Sequence, residues 1–163
     1  EIGFKVKHMM FTNVSGKFDK YDGTIETEEN DFSTAKVSFS ADINSIDTRN
    51  ADRDNHLKSG DFFDAENHPK LTFTGKSFTK VSENEYELIG DLAMKGNSKE
   101  VKLPVEFSGL MQDPWGNTKV GLNIETKINR KDWGLNWNSA LETGGVLVGE
   151  DVKLTIDLQL VKA

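Results

Sequence analysis

The stretch "SIDTRNADRDNHLKSGDFFD", residues 45–64, gathers five aspartates, two arginines, a lysine and a histidine. Side chains of these types can hold a metal, move a proton or clamp a structure together. The run Asn50-x-Asp52-x-Asp54, followed by Asp61, approaches the calcium-loop template of alternating oxygen ligands closed by a bidentate glutamate. It departs from that template at Asn55, which replaces the turn glycine, and at Asp61, which replaces the glutamate. No metal site is expected. His56 lies near Asp52 and Asp54, but a general base needs a substrate group within hydrogen-bond reach and an orienting partner. Neither G-x-S-x-G nor H-E-x-x-H spacing occurs, so no catalytic residue is expected. His8 falls on an apolar stripe and His68 precedes Pro69 in a turn.

An architectural role accounts for more of these residues. Asn50 can N-cap a helix, Asp52 suits its first turn, and Arg53 and Leu57 share a face at i, i+4. Gly60 is expected to supply a left-handed stop. The spacing predicts a short helix near 50–59, with Phe62 and Phe63 helping it seal one end of the fold. Asp47 or Asp54 is expected as the buried partner of Arg53.

The elements that must position this stretch read as strands. Period-two alternation places Ile2, Phe4, Val6, His8 and Met10 on one face, and likewise Ala35, Val37, Phe39, Ala41 and Ile43. It recurs over 71–75, 86–94, 101–107, 120–128 and 152–160, with weaker strands at 14–18 and 23–28. Turn residues separate the strands, as at Asp22-Gly23, Lys95-Gly96-Asn97 and Asp113-Pro114-Trp115-Gly116-Asn117. Pro104 lacks a ladder donor and implies an edge or bulge. With one apolar face per strand and no long amphipathic helix to cover it, the sheet must cover itself as a sandwich or barrel. Small residues on the inward stripes (Gly16, Ala35, Ala41, Gly75 and Gly90) leave volume for large neighbours or for a ligand.

The chain has 163 residues and reads as one domain over 1–163, without repeat or linker. Its formal net charge of -7, with no Lys/Arg cluster in the sequence, argues against a nucleic-acid partner and would repel an anionic membrane surface. With no cysteine, disulfides and thiolate chemistry are excluded. No apolar run approaches the ~20 residues of a transmembrane helix. The chain opens at Glu1 inside an alternating pattern, so loss of N-terminal residues is expected.

The segment "SIDTRNADRDNHLKSGDFFDAENHP" resembles the most distinctive motif of the YceI-like family, roughly S-I-D-T-x-N-x-x-R-D-x-H-L-x-S-x-D-F-F-D. Three further stretches agree: "FKVKHMMFTNVSGKF" (4–18), "GDLAMKGNSKEVKLPVEF" (90–107) and "INRKDWGL" (128–135). The resemblance implies an all-β fold, an eight-stranded antiparallel lipocalin-like β-barrel with one short helix near 50–59. It also implies a non-enzymatic protein that binds, transports or stores a long-chain isoprenoid lipid, such as a polyprenyl phosphate, an isoprenoid quinone or a precursor. No cofactor is implied beyond the lipid. Alternatives are a stress-response interaction barrel with an incidental pocket, or a component of a lipid-modifying enzyme using His8 or His56. A homodimer is open. The location leans to the cytoplasm, with the periplasm, after loss of a signal peptide, as the alternative.

Inward apolar positions expected to line the pocket are Phe4, Val6, Val14, Phe18, Val37, Phe39, Phe62, Phe63, Phe73, Leu92, Met94, Phe107, Ile124, Ile128 and Trp133. His8, Arg53, Asp54, His56 and Arg130 are the expected polar residues, either anchoring a head group by charge-assisted hydrogen bonds or holding the fold together. For Arg53 and Arg130 the structural role is favoured.

Overall fold

The structure is a computed structural model, and it describes residues 1–139 and 147–162. In chain order the strands are β1 (Ile2–His8), β2 (Thr12–Phe18), β3 (Tyr21–Glu28), β4 (Asp31–Asp42), β5 (Ile46–Asp47), β6 (Lys70–Lys80), β7 (Glu85–Met94), β8 (Asn97–Phe107), β9 (Met111–Gln112), β10 (Thr118–Asn129) and β11 (Val148–Val161). The helix α1 (Ala51–Lys58) lies between β5 and β6, and 3-10 turns occupy Ile43–Ser45 and Arg130–Trp133. All the pairings are antiparallel, in the order β3-β4-β6-β7-β8-β10-β11-β1-β2-β5, with β9 beside β10.

The sheet curls until its two edges meet at a bend. β2 pairs with β5 at one edge, β3 pairs with β4 at the other, and only Asp19 and Lys20 separate β2 from β3. The amides of Asp19 and Lys20 donate to Ser45 O (3.1 Å) and Ser45 Oγ (2.9 Å), and Lys20 O accepts from Asp42 N (2.9 Å). Counting β2–β3 as one bent stave, and setting aside the two-residue β5 and β9, gives the eight staves expected; the eleven segments differ by that kink and those short bridges. Pro104 stands opposite Glu87 on β7, while the β8–β10 ladder is confined to residues 105–107 of β8. The residue without an amide donor thus lies where the sheet splays.

The alternating pattern sends one face inward, and this face packs into a core that fills the end away from α1. Phe39 stacks on Phe73 with centroids 4.8 Å apart, Phe78 stacks on Tyr86 at 4.5 Å, and Phe107 meets Phe32, Phe78 and Tyr86 edge-on. Two of the inward glycines serve backbone packing: a Cβ at Gly75 would overlap Val37 O, and one at Gly90 would overlap Thr74 O. Gly16 is different, because a Cβ there would strike only side chains, the Phe4 ring and the Thr48 methyl.

Two local expectations need correction. Met10 does not continue the inward stripe; Met9 and Met10 take left-handed φ values of 53° and 69° and form the β1–β2 turn. Nor does Gly60 stop α1 in a left-handed conformation. Ser59 ends the helix in extended backbone, its Oγ donating to His56 O at 2.6 Å, so the last turn is satisfied by a hydroxyl.

Candidate functional site

α1 is short and has no fully buried residue, and its ends determine its position. Asn50 Oδ1 accepts from Arg53 N at 3.0 Å, the N-cap expected from the sequence. Thr48, 4% exposed, joins the two charged residues of the first turns. Its N and Oγ1 donate to Asp54 Oδ1 at 2.9 and 2.5 Å, while its Oγ1 and O accept from Arg53 at 2.8 and 2.7 Å. Among the described residues Arg53 therefore has no direct carboxylate partner, contrary to expectation. Adjacent helical residues do not face each other, so a bridging hydroxyl couples Arg53 to Asp54, and Asp47 instead accepts from Arg49 N at 2.9 Å. After the helix, Phe63 N donates to Leu57 O at 3.0 Å, which turns Phe62 and Phe63 back beneath it.

Beneath α1 lies a cavity of about 180 Å³. Its wall is apolar: Phe4, Val6, Val14, Phe18 and Ile128, faced by Val152 and Leu154, with Leu71 and Met94 toward the packed core. Phe18 meets Phe4 at 5.8 Å and Phe63 at 6.0 Å. At the helix end, His56, Phe62 and Trp137 form an aromatic cluster with centroids 4.6–5.4 Å apart. The ionisable lining consists of basic side chains and histidines. Lys7, His8, Arg53, His56 and Arg130 reach the cavity, and no aspartate or glutamate does among the described residues.

Arg130 is the most buried of these, at 5% exposure. Its Nε donates to Gly149 O (2.8 Å), Nη1 to Leu135 O (2.5 Å) and Trp137 O (2.9 Å), and Nη2 to Val148 O (3.3 Å). Burial pulls the guanidinium below its ordinary pKa, opposed by the charge of Glu150. The side chain thus pins the residues after the second 3-10 turn to the start of β11, with its charge met by carbonyl dipoles. His56 Nε2 lies 2.8 Å from Asp61 Oδ2 in a half-exposed pair, of which His56 lines the cavity and Asp61 does not.

The sequence model of the YceI-like domain matches residues 1–160. The chain belongs to the YceI-like family. UPF0312 protein SA2479 of Staphylococcus aureus strain N315 is 45% identical over 151 residues, which cover 92% of this chain and 85% of that protein. The Campylobacter jejuni YceI protein superposes with a TM-score of 0.80 at 30% identity, over 98% of this chain and 91% of that one. Two more distant structures share the fold. They are Burkholderia cenocepacia BcnA (TM-score 0.81, 19% identity, 98% and 94% covered) and a domain from Saccharophagus degradans (0.72, 16%, 99% and 92%), which is described as polyisoprenoid-binding and implicated in plant cell wall breakdown.

In this YceI-like chain the residues singled out from sequence divide into two groups. Phe4, Val6, Val14, Phe18, Phe62, Phe63, Met94 and Ile128 line the cavity, together with His8, Arg53, His56 and Arg130. Val37, Phe39, Phe73, Leu92, Phe107, Ile124 and Trp133 do not reach it; all are buried in the packed core, and Trp133 Nε1 donates to Leu92 O at 2.8 Å. Asp54 turns to Thr48 and does not line it. The lining also includes Lys7, Leu57, Leu71, Leu135, Trp137, Leu147, Val148, Val152 and Leu154. Leu71, Val152 and Leu154 belong to inward stripes visible in the sequence. Their depth along the barrel, which alternation does not encode, is what distinguishes them from Phe73 or Ile156.

Proposed function

We propose that this protein is a non-enzymatic carrier that binds, transports or stores a long-chain isoprenoid lipid. The tail occupies the apolar cavity and the head lies toward Lys7, His8, Arg53, His56 and Arg130. One observation carries this reading: an apolar cavity of about 180 Å³ whose polar lining is wholly basic or basic-capable among the described residues. Each isoprene unit contributes about 3 kcal/mol gross on burial, so the one or two units that the cavity admits contribute about 3–6 kcal/mol toward an ordering cost of several kcal/mol, without directional chemistry. A cavity of this size admits a guest somewhat larger than benzene, about one or two isoprene units. The excess of positive charge favours a phosphate or other anionic head. The description of the S. degradans domain as polyisoprenoid-binding supports the same class of ligand. For an acid–base role, Asp61 would orient the His56 ring, but no serine, aspartate or glutamate lines the cavity beside it among the described residues.

Native mass spectrometry of protein purified from its own host, followed by titration with farnesyl phosphate, tests the proposal. A retained prenyl lipid, or saturable binding of the added one, supports it. A chemically altered lipid would point to an enzyme, and an empty protein that refuses farnesyl phosphate would overturn the carrier reading.

A further inference from the structure

The β1–β2 turn is built from unusual residues. Met9 and Met10 occupy two successive left-handed positions, which favour glycine and asparagine. The corresponding β3–β4 turn uses Glu29 and Asn30, and the β7–β8 turn uses Lys95 and Gly96. At the first turn alone are both left-handed residues apolar. Met9 and Met10 are 51% and 50% exposed and Phe11 is 90% exposed, so packing among the described residues leaves the methionines half uncovered and Phe11 almost wholly so. This tip adjoins the cavity. His8, the residue before it, lines the cavity, and Met9 N donates to the O of Leu147, another lining residue, at 2.8 Å.

Beside the tip, the outer wall of the barrel carries a basic row that the linear sequence conceals. Lys127 on β10 stands opposite Lys153 on β11, and Lys153 stands opposite Lys5 on β1. All three are exposed, and none has an ion-pair partner among the described residues; the same holds for Lys7, two positions from Met9. Like charges directly opposed across strands are unfavourable unless something outside the sheet neutralises them. Two acids lie close on this wall, Asp151 opposite Asn129 and Glu125 opposite Thr155, while Glu150 is taken by Lys131 at 2.8 Å.

We propose that the Met9–Phe11 tip and the Lys5–Lys153–Lys127 row together form a surface that docks the cavity-bearing end of the barrel on an anionic lipid bilayer. Apolar side chains at a protruding tip suit insertion at the headgroup boundary, and flanking lysines suit the phosphates beside it. The proposal rests on the carrier reading for its purpose, since a lipid moving between cavity and bilayer needs the cavity-bearing end near the membrane. The net charge of -7 opposes such contact as a whole, so preference for anionic lipid must come from the local row.

Flotation of the full chain with vesicles of phosphatidylcholine, or of phosphatidylcholine containing one quarter phosphatidylglycerol, tests the docking. In parallel, farnesyl phosphate is titrated in solution without vesicles. The expected result is association with the anionic vesicles that weakens as salt rises. F11D should reduce it about tenfold or more, and the double variant K5E/K153E similarly, with farnesyl phosphate affinity unchanged in both. W115S serves as the control, because Trp115 is 81% exposed in the Asp113–Asn117 turn, roughly 30 Å along β10 from the cavity; it should bind vesicles like the parent. The docking proposal is overturned if the parent ignores both vesicle types, binds neutral and anionic vesicles equally, or loses binding through W115S alone. It is also overturned if F11D abolishes a dimer while leaving vesicle binding intact, which would assign the tip to a second copy. Failure of the carrier reading would look different: vesicle association without any binding of farnesyl phosphate.

Discussion

Replacing Arg130 with methionine tests whether this residue holds the structure or the ligand. The guanidinium serves four carbonyls, and of these only Val148 O has another side-chain donor among the described residues, Asn138 Nδ2 at 2.8 Å. Leu135 O, Trp137 O and Gly149 O lose the bonds that Arg130 gives them. An unpaired buried acceptor costs about 1–3 kcal/mol, and relief of the buried charge offsets part of the sum, leaving a net loss of about 3 kcal/mol. That corresponds to a fall in Tm of roughly 6–12 °C for a chain of this size. Urea unfolding should give a lower midpoint with an unchanged m-value. With four of its five N–H groups committed to carbonyls, Arg130 has little left for a head group. Farnesol binding should therefore be unchanged, and farnesyl phosphate binding should weaken less than tenfold, about 1.4 kcal/mol. Arg130→Lys retains charge but cannot span four carbonyls from one nitrogen, and should recover less than half of the lost stability. A methionine variant within about 0.5 kcal/mol of the parent would refute the structural role, the more so if it no longer bound farnesyl phosphate.

Other outcomes follow from the same geometry. Val152→Trp fills the cavity beside Val6 and should abolish farnesyl phosphate binding in calorimetry while circular dichroism stays native. Phe73→Ala removes a ring that is 1% exposed and stacked on Phe39; it should destabilise by about 3–5 kcal/mol, with ligand affinity unchanged in the remaining folded protein. Thr48→Val breaks the link between Arg53 and Asp54 and should lower stability by about 1–3 kcal/mol, with amide exchange raised first in α1. Burial raises the Asp113 carboxyl, but hydrogen bonds from Asn117, Lys119 and Trp115 outweigh it and hold the pKa at about 2, below the ordinary 3.8. Because the folded value is depressed, the stability gained is present above about pH 4 and is lost as pH falls through 2. A carboxyl titration followed by NMR should find its midpoint there, and a midpoint near 3.8 would show that those bonds do not persist in solution.

Much of the fold was legible because alternation reports directly which face of a strand is buried. Phe4, Val6, Phe18 and Ile128 could be assigned inward by counting, and Asn50 could be assigned as a cap by its spacing to the helix. Depth was not legible. Phe73 and Leu71 share a stripe on β6, yet one is sealed in the core and the other borders the cavity, because that depends on which residues from distant strands share a level. The same limit hid the lysine row, whose members are 26 and 122 positions apart along the chain, at 5, 127 and 153. Arg53 misled for a local reason. Counting charges offered Asp47 and Asp54 as partners, while the buried hydroxyl of Thr48 took both sides of the bond.

The bend at Asp19–Lys20 gives the barrel the mechanics of a split ring. Its two margins are joined by the chain itself and by bonds clustered near that bend, including Glu1 N donating to Tyr21 Oη at 2.9 Å. Farther along, where Gly23 and Ile25 of β3 approach Leu160 of β11, no ladder crosses between the two strands among the described residues. A closed hoop can widen only by breaking ladder bonds; a split one widens by opening its gap, with every ladder intact. Between β3 and β11 the barrel is therefore closed by side-chain packing and by the bend itself, and not by a ladder, among the described residues.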